Sequence, residues 1–174
     1  MRKTITFFEK IYKISINNKK RQELVWRDLK SFFNKMGYNY GVFEKEMMIR
    51  AVFKISENKA LDFNYYIEDG SLHFKSFLIA KYNPEIASDI FILASHFNNI
   101  LKDFVVIICP DKCIIELKFK IEIFSSLIYP EKKIRAMYMH HEVSNIAYLA
   151  FKRLINEREE PAIIFADVMK NRKN

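Results

Sequence analysis

The sequence predicts an α+β fold in which amphipathic helices cover one face of an antiparallel sheet of about five to six strands built from sequential hairpins. Residues 114–124 alternate between apolar and charged side chains without interruption. A strand places successive side chains on opposite faces, so this pattern predicts one face on a core and one in water. The core set is Ile115, Leu117, Phe119, Ile121 and Ile123, and the water set is Glu116, Lys118, Lys120 and Glu122.

A hairpin over residues 61–79 is the second observation behind this fold class. Two alternating runs flank Glu68, Asp69 and Gly70. Asp-Gly between such runs is a strong hairpin signal, because glycine adopts a positive φ without steric cost.

Helical spacing accounts for the start of the chain, before the sheet. Residues 3–16 fit a short helix, and apolar side chains over 20–36 recur at helical spacing, with Gly37 placed as a left-handed C-cap. Two short runs rich in aromatic and β-branched residues, 38–44 and 46–55, then predict strands joined by a tight turn.

The second half of the chain adds three helices and a hairpin. Pro84 opens a helix that reaches Leu101, because proline at the first helical position needs no amide partner. Phe104–Cys109 and the long strand flank a turn at Pro110. The next helix begins at about either Glu131 or His140 and runs to Asn156, and a last helix follows Pro161.

We expect one domain over residues 1–174, with 1–19 as an N-terminal arm or short helix and 158–174 as an appended C-terminal helix. The chain has only three glycines and four prolines, which leaves no flexible linker. No apolar run approaches the roughly 18 residues that span a bilayer. We therefore expect a soluble, cytoplasmic protein without a membrane partner.

The net charge of +8 is concentrated in the first helices. Residues 1–35 hold ten Lys/Arg and three Asp/Glu, a net of +7, whereas residues 36–174 hold nineteen and eighteen, a net of +1. A contact with a polyanion is therefore expected only in the N-terminal part. The candidate phosphate contacts are Lys19, Lys20, Arg21, Arg27 and Lys30.

Trp26 is the candidate partner-binding residue, together with its neighbours Arg27 and Lys30. A tryptophan that faces solvent among basic residues suits a protein interface or a stacking platform for single-stranded nucleic acid. The alternative is that Trp26 belongs to the core or to a subunit interface of a broadly apolar helix.

The sequence contains no recognisable catalytic, metal or cofactor motif, so we expect a non-enzymatic protein. Cys109 and Cys113 are the only cysteines, and two thiols without two further ligands do not make a zinc site. Adjacent histidines at 140 and 141 point about 100° apart on a helix, so they cannot both bind one metal ion. We interpret them as polar residues at a helix start. None of the three glycines opens a helix in a phosphate-binding loop.

The order of elements resembles that of the YbjN-type bacterial sensory transduction regulators, which share the fold of type III secretion chaperones. The resemblance covers residues 20–157 and rests on a helix ending FFNKMGYNY, the hairpin LDFNYYIEDGSLHF, a helix ending ASHFNNIL and the hairpin VVIICPDKCIIELKFKIEI. Asn98 or Asn99 is similar to an asparagine that the family often carries before its next strand.

The resemblance implies a small, non-enzymatic and often dimeric binding protein, with no catalytic residue to transfer. We therefore expect a chaperone-like regulatory module that docks a protein partner and forms a homodimer. The alternative is a nucleic-acid-binding accessory protein that uses the basic N-terminal arm and first helix.

Overall fold

The computed structural model describes residues 7–56 and 59–171 as six helices and six strands, with two short 3-10 turns at Pro84–Ile86 and Pro110–Lys112. The helices are α1 Phe7–Ser15, α2 Asn18–Met36, α3 Ala87–Ile100, α4 Ile123–Ile128, α5 Pro130–Glu157 and α6 Pro161–Asn171. The strands are β1 Tyr40–Phe43, β2 Met48–Ser56, β3 Lys59–Glu68, β4 Ser71–Ile79, β5 Phe104–Cys109 and β6 Ile114–Glu122.

The six strands form one antiparallel sheet in the order β1-β2-β3-β4-β6-β5, which confirms the predicted fold class. Helix α3 carries the chain past β4 to the far edge, where β5 begins. The β5–β6 hairpin then returns the chain so that β6 lies between β4 and β5. Of the chain's two cysteines, both free, Cys109 ends β5 and Cys113 follows the 3-10 turn of this hairpin.

The core lies between one face of the sheet and helices α2, α3 and α5. On β3, the side chains of Leu61, Phe63 and Tyr65 are buried, whereas their neighbours on the other face are partly accessible. Phe33 of α2 packs against the Tyr65 ring, with their centroids 5.2 Å apart. The alternation of side chains along the strands therefore selects the face that the helices cover.

Local signals in the sequence have the predicted geometry. Gly37 ends α2 with φ 66°, and its N–H donates to the Asn34 carbonyl. Asp69 and Gly70 both have positive φ, 47° and 71°, as expected of a two-residue hairpin turn between strands with right-handed twist.

Helix α4 is an element that the sequence pattern did not predict. The alternation was expected to continue as a strand to residue 124, but β6 ends at Glu122. Ile123, Leu127 and Ile128 are buried, and the Ser126 hydroxyl donates to the Ile123 carbonyl at 2.8 Å. Ile121 and Ile123 suit a strand locally, but the chain after Glu122 forms a helix because that conformation buries Ile123 and Leu127.

Helix α5 begins at Pro130, so the earlier of the two expected starts is close to the observed one. The expectation that His140 and His141 lie at a helix start is therefore wrong, because they occupy the middle of α5. His140 is fully buried among the rings of Phe63, Phe74 and Phe104. Helix α5 therefore packs on the sheet at His140, against rings of β3, β4 and β5.

The polar set of β6 is only partly in water, which corrects a second expectation. Glu116 is 5% exposed and pairs with Lys75 of β4 at 2.6 Å and with Lys118 at 3.8 Å. The Lys75 ammonium also lies over the Phe77 ring, 4.5 Å from its centroid. Neighbouring strands therefore supply enough side-chain cover to bury a carboxylate on the face opposite the helices.

Helix α6 packs against the helix layer through fully buried Ile164. Phe165 packs edge-on against Phe97 of α3, and Arg153 of α5 bonds Asp167 at 3.1 Å. Arg153 also pairs with Glu159 in the connection between the two helices. These contacts join the appended C-terminal helix to α3 and α5.

Candidate functional site

Trp26 belongs to the core of the protein and does not face solvent. Its side chain is buried, and the indole N–H donates to a Glu44 carboxylate oxygen at 2.8 Å. Lys30 bonds the other oxygen of Glu44, also at 2.8 Å, and lies over the indole ring. The pair of bonds to Glu44 lowers the pKa of that carboxyl. This cluster ties α2 to the turn between β1 and β2 and leaves Arg27 as the exposed member of the patch.

The five basic residues of the nucleic-acid alternative are engaged to different degrees. Arg21 bonds the Lys13 and Ile14 carbonyls at the end of α1, at 3.3 and 2.6 Å. Lys20 pairs with Glu23 at 3.0 Å, and Lys30 is held by Glu44.

Lys19 and Arg27 are exposed, and neither has an ion-pair partner within the described part of the chain. Of the five, Lys19 and Arg27 are therefore the exposed cations without an ion pair among the described residues, whereas the Arg21 guanidinium is held by neutral carbonyls and keeps its net charge.

A groove lies between α2 and α5 on the helix side of the sheet. It encloses about 220 Å³ above strands β2 and β3. Most of its lining is aromatic, and it was not predicted from the sequence. We call it the aromatic groove, and its lining residues are Phe32, Tyr38, Phe53, Lys54, Tyr65, Met137, Tyr138 and His141.

An ion pair joins α2 and α5 beside the aromatic groove. Asp28 and Lys133 each lie one helical turn before a lining residue, Phe32 and Met137, and their charged atoms are 3.8 Å apart. Lys133 is buried, and this burial lowers the pKa of its ammonium against the opposing effect of Asp28. The pair holds the two helices together at one end of the groove.

Aromatic packing fixes the wall that His141 contributes. Its ring stacks on Phe63 at 5.3 Å and meets the edge of Phe53 at 5.4 Å between centroids. Burial lowers the pKa of His141 from 6.5, so the imidazole is neutral at pH 7. A neutral ring in this position presents both an apolar surface and a hydrogen-bonding edge.

The polar groups of the aromatic groove are biased towards hydrogen-bond donors and positive charge. Three phenols, the imidazole and the exposed Lys54 line it, and no carboxylate is among the lining residues in the part of the chain that the structure describes. The pKa of Tyr38 is raised by burial and by the nearby Tyr138, and the pKa of Tyr65 is raised by burial and by Tyr38. The phenols of Tyr38 and Tyr65 therefore stay protonated at neutral pH, and a phenol can donate to an acceptor on a ligand.

Sequence reasoning missed this groove because its walls come from four elements. The pair Tyr138 and His141 has the i, i+3 spacing of one helix face. No local pattern shows that this face lines a groove. A helix-wheel reading of α5 could find a second apolar stripe. It could not find Tyr38, Phe53 or the gap.

Other classes of site have less support in the described residues. Across residues 7–56 and 59–171, no group of three His, Cys, Asp or Glu side chains could hold a metal ion. Among the helices of the same ranges, none combines the length and the hydropathy needed to cross a bilayer.

Comparison with known proteins gives one informative likeness. No family model matches the sequence. No curated protein matches it either. The crystal structure of YbjN from E. coli, described as a candidate transcription regulator, superposes with a TM-score of 0.53. The match covers 75% of this chain and 93% of YbjN at 11% sequence identity. At that identity the likeness concerns the fold alone, and the chain is accordingly a protein of YbjN-like fold.

Proposed function

We propose that this chain is a non-enzymatic, chaperone-like regulatory module of the cytoplasm that docks a protein partner in the aromatic groove. The observation that supports this proposal is the groove itself, an aromatic-lined volume of about 220 Å³ between two helices. A pocket of this kind suits one large apolar side chain of a partner, which is how anchor residues dominate many interfaces.

The charge of the lining favours an acidic partner segment. Lys54 and the phenols of Tyr38 and Tyr138 can interact with a carboxylate beside the anchor, and none of the described lining residues is a carboxylate that would repel it. The preferred partner segment therefore carries a Leu, Phe or Trp next to Asp or Glu. Repulsion from Lys54 disfavours a basic segment.

Selection from a random peptide display library on the purified full chain tests this chemistry. We expect enriched peptides that combine a large apolar residue with a neighbouring acid. Each selected peptide is then measured by fluorescence anisotropy against the unaltered protein and three variants. Tyr138→Ala removes a groove wall, Lys54→Gln removes the positive charge, and Tyr129→Ala removes an exposed tyrosine outside the groove.

Tyr138→Ala should weaken peptide binding by about 10-fold or more, because truncation of an anchor-contacting aromatic side chain costs over 1 kcal/mol. Lys54→Gln should weaken binding less and remove part of its salt dependence. Tyr129→Ala should leave the dissociation constant unchanged. Peptides that bind Tyr138→Ala as tightly as the unaltered protein would overturn the proposal, as would a selection that enriches basic peptides.

A further inference from the structure

Helix α1 docks on the protein through its charged side. The Lys13 ammonium donates to the Leu127 carbonyl of α4 at 3.4 Å, and the Lys10 ammonium lies over the Tyr129 ring at 5.9 Å. Arg21 caps the other end of α1 through the Lys13 and Ile14 carbonyls. The contacts that Lys10, Lys13 and Arg21 make for α1 are therefore all made by cations.

The apolar side of α1 points away from the protein. Ile11, Tyr12 and Ile14 are 47%, 53% and 52% exposed, and Phe8 is 80% exposed. An amphipathic surface helix ordinarily buries its apolar stripe and exposes its charges. Here the arrangement is reversed, so Ile11, Tyr12 and Ile14 face outward and can meet an external surface.

The size of this stripe is small for a protein interface. With the roughly 150–250 Å² that an aromatic side chain buries taken as an upper bound for each, the half-exposed Ile11, Tyr12 and Ile14 offer on the order of 300 Å² or less. A stable protein–protein contact needs about 800 Å² from each partner. A second copy of α1 or a folded partner would therefore cover too little area on this helix alone. A lipid surface has no such threshold, since membrane affinity adds to apolar burial from electrostatic attraction.

The N-terminal sequence is rich in positive charge, and two aromatic rings that carry cations lie beside α1. Residues 1–20 contain six Lys/Arg and one Glu, a net of +5. Beside α1, the exposed rings of Phe124 and Tyr129 carry cations, with the Arg21 guanidinium 5.1 Å from Phe124 and the Lys132 ammonium 4.8 Å from Tyr129. Long basic side chains can reach phosphate groups while their stems and the rings lie at the apolar boundary.

We propose that α1 lies flat in the headgroup region of an anionic lipid bilayer, with Ile11, Tyr12 and Ile14 at the acyl boundary and the surrounding cations at the lipid phosphates. The expectation that no membrane takes part rested on the lack of a spanning segment. A helix in the plane of the interface needs no such segment.

Vesicle co-sedimentation of the full chain tests this proposal. The probes are phosphatidylcholine vesicles with and without about 20% phosphatidylserine. The test variant is the double substitution Ile11→Ser and Ile14→Ser. The control variant is Ile92→Ser and Ile100→Ser on α3, two isoleucines that are 48% and 54% exposed and so match the first pair in chemistry and accessibility. Thermal melts of all three proteins verify that each is folded.

We expect binding to the anionic vesicles and little binding to the neutral ones. The α1 variant should lose about 10-fold or more in partition, since apolar transfer free energy is lost at two sites, and the α3 variant should bind as the unaltered protein does. Raising the salt concentration from about 0.05 to about 0.5 M should weaken binding in all cases.

Three outcomes would overturn the proposal. The first is the absence of binding to anionic vesicles. The second is binding that responds to salt but not to the α1 substitutions, which would be adsorption of a basic protein without insertion. The third is a dimer that dissociates when Ile11 and Ile14 are replaced, seen by light scattering without lipid, which would assign the stripe to a second copy of the chain.

Discussion

The side-chain amide of Asn98 pairs with the main chain of Val106, accepting from its N–H at 2.7 Å and donating to its carbonyl at 3.0 Å. Asn98 lies near the end of α3, and Val106 lies in β5, an edge strand of the sheet. The amide therefore takes the place that a neighbouring strand would occupy. Exposed edges invite pairing with another chain, and this contact closes part of the edge.

Replacing Asn98 by alanine should destabilise the protein by about 1–2 kcal/mol, since two hydrogen bonds to main-chain groups are lost. Urea unfolding measures the change. Asn99→Ala is the matched control, because Asn99 is the adjacent exposed asparagine, and its effect should stay within about 0.5 kcal/mol. Equal effects of the two substitutions would contradict the assigned role. Light scattering on Asn98→Ala should also reveal greater self-association through the opened edge.

Substitutions at adjacent positions of β6 should differ greatly in their effect on stability. Leu117 is fully buried in the core, so Leu117→Lys places an unpaired charge there and should prevent folding. Lys118 is partly exposed, and its ammonium lies as far as 3.8 Å from the Glu116 carboxylate. This ion pair is therefore weak, and Lys118→Leu should change stability by about 1 kcal/mol or less. Melting temperatures decide the matter, and equal values for the two variants would refute the placement of this strand.

Lys75 should matter more than Lys118 to the buried carboxylate of Glu116. Lys75→Met leaves Glu116 without its 2.6 Å partner and should destabilise the protein by about 2 kcal/mol or more. Adding Glu116→Leu to that variant should recover much of the loss, because no unpaired charge then remains. Chemical denaturation of the single and double variants provides the comparison. A double variant less stable than Lys75→Met would contradict the idea that the unpaired carboxylate causes the loss of stability.

His140 should make the protein sensitive to acid. Burial lowers its pKa to about 3, although the nearby Leu117 carbonyl opposes this fall, and neither ring nitrogen has a hydrogen-bond partner of good geometry within the described residues. In the unfolded chain the ring takes up a proton below its ordinary pKa of 6.5. The stability contributed by the neutral ring is thus complete above pH 6.5 and is lost as the pH falls towards 3.

The expected slope for this one group approaches about 1.4 kcal/mol per pH unit between those limits. His140→Leu should remove it, so the variant's free energy of unfolding should fall less between about pH 6.5 and about pH 4 than that of the unaltered protein. Urea titrations at several pH values measure both. Parallel curves would show that His140 does not titrate differently in the two states.

Trp26 should act on stability within the protomer. Trp26→Ala removes a buried indole and should cost about 3–5 kcal/mol, whereas Trp26→Phe mainly loses the bond to Glu44 and should cost about 1–2 kcal/mol. Denaturant unfolding measures both. Light scattering at low micromolar concentration tests the expected homodimer separately, and Trp26→Phe should leave the mass unchanged. A fall from dimer to monomer in that variant would place Trp26 at a subunit interface.

Short-range physics in the sequence was enough to predict most of the fold. The alternation over β3, β4 and β6 reflects the two-residue period of a strand, which holds wherever one face is buried. The end of α2 and the turn between β3 and β4 were equally local, because Gly37 and Gly70 supply positive φ that other residues rarely adopt. The YbjN-like order of helices and strands follows from these signals and from the helical spacing of α2 and α3.

Tertiary structure decided which faces of the helices and strands pack together, and the candidate sites depend on that packing. The aromatic groove forms where residues of α2, β2, β3 and α5 come together, and Tyr38 and His141 both line it although about a hundred residues separate them. Glu116 and His140 lie in patterns that suggest exposure, yet packing from distant elements buries both. The reversed face of α1 was also invisible in the sequence. Periodicity shows that a helix has two faces, but only its neighbours determine which face is covered.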